Sequence, residues 1–308
     1  MRFLEATSQH TDKNVFQLQN EPTILNALVA QSKLYSRAKK FDTVFLILYI
    51  ALPILYSTLI LFLNNEWLQV IGAVIAIMAT VISHRFAERR DKIRVRAARM
   101  QQTIDFYLFS RPDYPLINDD WKDCLSQTEF YETISDVNIS SKDIEEKRNW
   151  YSDYSRYDHL KQVYYCQRMN IRWETELRKY YIIILSSLIG VTIAVSVVLL
   201  LLFHCTGSTF AVLITTFAPF IDYASEVYPD YSRDKKRIEM ICELQNSIEG
   251  RDGFLHHGKE LYSKEVDLQN MIYEHRSQAV MVPDKIYLLF RKKQQRKADK
   301  TASMVESR

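Results

Sequence analysis

Residues 181–203, YIIILSSLIGVTIAVSVVLLLLF, hold no charged side chain. As one helix, at about 1.5 Å per residue, such a run spans the ~30 Å hydrocarbon core of a bilayer. Three further apolar blocks accompany it: TVFLILYIALPILYSTLILFL (43–63), WLQVIGAVIAIMATVIS (67–83) and STFAVLITTFAPFI (208–221). The last is short by itself, and Gly207, His204 and Tyr223 extend it toward an interface. The linkers within each pair, 64–66 and 204–207, are only long enough for the turn of a helical hairpin. The expected fold is therefore an all-α membrane protein with two transmembrane helical hairpins, four helices in all.

Basic residues set the orientation. Lys33, Arg37, Lys39 and Lys40 precede the first pass, and seven basic residues from Arg85 to Arg99 follow the second. Arg168, Arg172, Arg178 and Lys179 precede the third, and Arg233, Lys235, Lys236 and Arg237 follow the fourth. Neither hairpin turn carries a Lys or Arg. Positive charge stays on the cytoplasmic side, so both termini and the segment between the hairpins are expected there. The layout becomes an N-terminal arm (1–42), hairpin 1 (43–84), a cytoplasmic insert (85–180), hairpin 2 (181–223) and a cytoplasmic tail (224–308), the soluble parts mainly helical. The polar start of the chain, MRFLEATSQHTDKN, has no apolar core of a cleavable signal.

Only 6 Gly and 7 Pro in 308 residues favour long helices. The run after the second pass continues without Pro or Gly as far as RPDYP at 111–115, and an irregular stretch is expected from there to about Asn138. Ser140 and Asp143 then have the spacing of a capping box. A long helix is expected from there into the third pass, broken around Tyr154–Asp158, with Glu174 and Arg178 paired at i, i+4. In the tail, Ile238, Ile241, Leu244 and Ile248 make an apolar stripe ending near Gly250, and a second helix is expected over Gly258–His275. The basic segment after Pro283 reads equally as a lipid-surface segment or as a solvated tail.

Catalytic signatures are missing: there is no phosphate-binding Gly-rich loop, no G-x-S-x-G and no H-E-x-x-H. His256-His257 lacks the spacing of a metal site, and the four scattered cysteines form no C-x-x-C pair. No catalytic residue, metal or resident cofactor is expected. A net charge of +3 gives no reason to expect a nucleic-acid polymer as partner.

The passes hold no Asp, Glu, Lys, Arg or His, with Asp222 only at the cytoplasmic end of the fourth, which disfavours a proton relay or pump. Ser186, Ser187 and Gly190 share one face of the third pass, where a neighbouring helix can approach closely. Thr192 and Ser196 on another face, with Thr215 and Thr216 in the fourth pass, are candidates for pore lining or helix packing. Just before the third pass, CQRMNIRWETELRKYY (166–181) crowds three arginines with Trp173 and two tyrosines. Arg168, Arg172, Trp173 and Arg178 read in two ways, as interface anchors or as a site giving phosphate contacts and base stacking.

Two stretches carry a resemblance. In 26–42 it is Ala30, Gln31, Leu34, Tyr35, Ala38 and Lys39, and before the third pass it is Gln167, Arg168, Asn170, Trp173, Leu177, Arg178 and Tyr180, preceded by KDIEEKRNWYSDY (142–154). In motif, order and layout the chain, over roughly 20–290, resembles the SMODS-associated four-transmembrane pore-forming effectors of bacterial cyclic-oligonucleotide anti-phage defence (CBASS). The tail after Pro283 has no counterpart in that resemblance. It implies an abortive-infection effector, activated by a cyclic di- or trinucleotide, that self-assembles and disrupts the lipid membrane. Two other readings stand beside it: a membrane-anchored scaffold docking a cytosolic partner through 85–180, and a membrane enzyme, against which the missing motifs speak.

Overall fold

The computed structural model describes residues 13–46, 66–110, 123–202, 207–249 and 258–284, with a few positions between and beyond them. The described residues are helical throughout, with no strand. The elements are α1 (Val15–Leu18), α2 (Pro22–Leu46), α3 (Glu66–Phe109), α4 (Gln127–Ser135), α5 (Ser141–Glu145), α6 (His159–Leu202), α7 (Gly207–Glu249) and α8 (Gly258–Gln278).

Three of these helices run without a break from apolar pass into charged extension. α3 holds the second apolar block and continues to Phe109, α6 runs from His159 into the third block, and α7 holds the fourth and continues to Glu249. α2 leads into the first pass, most of which lies outside the described residues. Where the first hairpin is described, the Tyr56 ring sits where a Gly72 side chain would stand, so only glycine fits there.

In the second pass Trp67, Val70, Val74, Met78 and Val81 are exposed, and in the third so are Ile183, Val191, Ile193, Val198 and Leu201. An apolar helix open on several sides is out of place in water and suits a hydrocarbon solvent. Among the described residues one helix, His159–Val195, is by length and composition apolar enough to cross a membrane.

The extensions pack into two adjoining cores. One gathers Leu18, Ile24, Leu28, Met100, Ile104, Leu108, Phe130, Tyr151 and Cys166 from α1 to α6. The other joins Leu160, Tyr164 and Ile171 of α6 to Ile241 and Ile248 of α7 and to Leu261, Leu268 and Ile272 of α8. Each large apolar side chain so buried contributes about 1.5–3 kcal/mol. Of the stripe expected at Ile238, Ile241, Leu244 and Ile248, the last three enter this second core, and Ile238 is buried as well. The insert and the tail thus form one bundle, with α8 seated against α3, α6 and α7.

Two expectations are corrected here. The stretch up to Asn138 is not wholly irregular, because α4 starts on a capping box in which the Ser126 hydroxyl and Glu129 satisfy each other's backbone N–H. The box expected at Ser140 and Asp143 is present, but its helix ends at Glu145, well before Tyr154. The chain breaks where Asn149 adopts a left-handed φ of 53°. Asn20 holds it there, accepting from the Asn149 backbone at 3.1 Å and donating to its side chain at 3.0 Å. Asp158 restarts the helix by accepting from Lys161 N at 3.1 Å.

Candidate functional site

The α2, α3, α6, α7 and α8 extensions meet around buried charge. On α6, Arg178 donates to Glu174 at 2.7 Å, the pairing expected from their spacing. Arg178 also lies against Asp234 of α7, which is wholly buried. His275 of α8 sits between these two carboxylates, 2.8 Å from Glu174 and 3.0 Å from Asp234. Its neighbour Arg276 donates to Asp105 of α3 at 2.9 Å. Asp105 also accepts from Tyr151 at 2.8 Å and from Gln269 at 3.0 Å, and Asn170 donates to Tyr151 at 2.9 Å.

Charges taken out of water persist only when paired and hydrogen-bonded. Burial pushes Glu174 upward, but Arg178, His275 and Arg276 together hold its carboxyl well below the usual range. Asp234 follows the same pattern, burial outweighed by Arg178 and His275. Both carboxylates therefore stay ionised, and the network ties together the helices that carry the second, third and fourth passes.

Above this floor lies a cleft of about 200 Å³. α2 contributes Gln31, Tyr35 and Lys39, spaced four residues apart on one face. Asn170, Glu174 and Arg178 face them from α6, Arg276 comes from α8, and residues 279–284 after α8 close one side. Lys147 and Trp150 bound another, with the Lys147 ammonium 4.9 Å from the Trp150 ring centre and 2.9 Å from Ser32 Oγ. The amides of Gln31 and Gln101 meet at 2.7 Å. At the mouth, Lys39 pairs with Asp284 at 2.8 Å. The Tyr35 hydroxyl is buried and makes no hydrogen bond among the described residues. Burial pushes its pKa far up, so it is a neutral donor.

The four residues singled out before the third pass part company. Arg178 lines the cleft and anchors its floor. Arg168 lies outside it, paired with Glu249 of α7 at 2.6 Å. Arg172 is exposed and does not line the cleft. The Trp173 side chain lies outside the described residues, as do those of Thr192, Ser196, Thr215 and Thr216. Ser186 and Ser187 are exposed, and the Ser186 hydroxyl meets Tyr228 of α7 at 3.1 Å. A side chain added at Gly190 would meet nothing within 4 Å. His256, His257 and Cys205 also lie outside the described residues.

The cleft draws on both stretches that carried the resemblance: Gln31, Tyr35 and Lys39 from one, Asn170, Leu177 and Arg178 from the other. The remaining motif residues serve the surroundings. Ala30, Leu34 and Ala38 are buried on the packed side of α2, and Gln167 donates to Glu265 O and Gln269. A family model described as the SMODS-associating 4TM effector domain matches residues 13–305. The chain belongs to that family. It is accordingly a four-transmembrane effector of the CBASS-associated type. The match reaches beyond Pro283, where the resemblance had found no counterpart, so the tail is part of the family's domain. No curated protein and no solved structure matched the chain.

The sequence did not single out Lys147, Trp150, Arg276 or Asp284 as site residues, although the first two lie in the 142–154 stretch that carries the resemblance. Local signals existed for only one part of this group, the basic residue beside an aromatic at 147–150.

Proposed function

We propose that this effector senses a cyclic di- or trinucleotide on the cytoplasmic side and responds by opening or assembling a pore in the bacterial inner membrane, without catalysis. The observation that carries this reading is the cleft itself. It combines cations (Lys39, Lys147, Arg178), aromatic rings (Tyr35, Trp150) and amides (Gln31, Asn170), the mixture that phosphates and bases require. Its walls are the extensions of membrane passes, so a ligand that prefers one helix arrangement shifts the passes as well.

The open face at Ser186, Ser187 and Gly190 supports assembly from several copies, because small residues let a second helix approach closely. Both termini would then face the cytoplasm. The test is dye release from liposomes holding the purified protein, titrated with cyclic di- and trinucleotides. Release with one of them is expected. A stoichiometric cytosolic partner bound through 85–180, with no release, would favour the scaffold instead.

A further inference from the structure

We infer that the cleft is the nucleotide site, that Lys147 and Trp150 receive one phosphate and one base there, and that Asp284 occupies the phosphate position until a ligand displaces it. This rests on the sensing role proposed above.

The Asp284 carboxylate is an anion held as a bound phosphate would be. It accepts from Lys39 at 2.8 Å, and Lys147 is close enough to contribute attraction. Burial pushes this carboxyl up, yet Lys39, Ser36 and Lys147 bring it below its usual range. A phosphate carries more oxygen acceptors and competes for the same donors. Trp150, beside Lys147 and next to the left-handed turn at Asn149, lines the cleft with an indole, a ring of the kind on which bases stack. The buried Tyr35 hydroxyl supplies a further donor that has no partner among the described residues.

Volume agrees with a closed state. About 200 Å³ falls below the roughly 300–1,000 Å³ of ordinary ligand pockets. A cyclic dinucleotide enters only if the 279–284 wall moves; among the described residues Asp284 ties this wall to α2, and Arg94 ties it to α3 through Ala279 O at 3.1 Å.

The wall leads to the membrane. Beyond Asp284, Phe290 stacks on Tyr180 with ring centres 4.3 Å apart and planes within 9°. Tyr180 immediately precedes the charge-free run of the third pass. Releasing Asp284 therefore frees the chain six residues from this stacking contact at the start of the third pass.

The experiment uses the full chain in lipid nanodiscs and four probes: cyclic di-adenylate, cyclic di-guanylate, cyclic guanylate-adenylate and cyclic tri-adenylate. Affinities are read calorimetrically, and dye release is read in liposomes. For the probe that binds wild type, Lys147→Gln and Trp150→Ala should each weaken binding about tenfold or more. Trp150→Phe keeps a stacking face and should stay within about threefold, which separates lost stacking from lost folding. Asp284→Asn should bind several-fold tighter and release dye at lower nucleotide. Unchanged affinity in both Lys147→Gln and Trp150→Ala would overturn the site while leaving sensing intact. Unchanged affinity and threshold in Asp284→Asn would overturn the latch. Binding of none of the probes by wild type would sink sensing and site together.

Discussion

Arg178 of α6 and Asp234 of α7 form a buried ion pair between the helices that carry the third and fourth passes. Neither residue has water to fall back on, so each depends on the other and on Glu174 and His275. Removing one member of such a pair leaves a buried charge uncompensated. Asp234→Ala is expected to cost about 3–5 kcal/mol, visible as a large drop in melting temperature of the detergent-solubilised protein. A loss below about 1 kcal/mol would mean that the pair is hydrated in solution.

A smaller loss is expected at Tyr151→Phe. The phenol donates to Asp105 and accepts from Asn170, both buried, and phenylalanine fills the same space without either bond. The expected cost is about 1–3 kcal/mol. Denaturant titration compared with Asn170→Ala and the double variant would reveal their coupling.

Arg168 supplies the contrast. Its pair with Glu249 is about one-third exposed on both sides, where solvent screens the attraction. Arg168→Ala should change stability by no more than about 1 kcal/mol and leave nucleotide affinity unaltered. Loss of nucleotide binding in this variant, with the fold intact, would move the site away from the cleft toward the outer face of α6.

Asp42 governs a pH effect. Burial raises its pKa to about 6, opposed by Arg90 at 3.0 Å across α2 and α3. A carboxyl whose folded pKa lies above its unfolded value binds its proton more tightly when folded. Its contribution to stability therefore declines as pH rises from about 4 to about 6 and then levels off, a total of about 3 kcal/mol. Asp42→Asn should flatten this part of the stability–pH profile. An unchanged slope would place the titrating group elsewhere.

Gly190 separates folding from assembly. Nothing lies within 4 Å of where its side chain would stand, so Gly190→Leu should leave the melting temperature of the isolated chain nearly unchanged. The same substitution should weaken self-association measured by cross-linking in liposomes, because it thickens the face where two helices would approach. Wild-type cross-linking would remove this face from the assembly.

Much was readable along the chain because its causes are local. Charge-free runs, the Ser140–Asp143 box, the Glu174–Arg178 spacing and the apolar stripe of α7 each depend on residues within one or two turns. The S-x-x-E signal at Ser126–Glu129 was equally local and foretells α4, yet it sits in a stretch poor in apolar periodicity. The early end of α5 was hidden for another reason. Beyond its end, Asn149 is held in the left-handed region by Asn20, 129 residues away, through one hydrogen bond to its backbone N–H and one to its side chain.

By itself the sequence determined that long uncharged helices alternate with basic extensions, since chain composition alone sets where a helix can leave water. Only the tertiary structure decided which polar residues meet. Arg276 finds Asp105 across 171 residues and Lys39 finds Asp284 across 245. A buried charge must have a partner, but local spacing does not say which one; the packing of α8 among α3, α6 and α7 makes that choice.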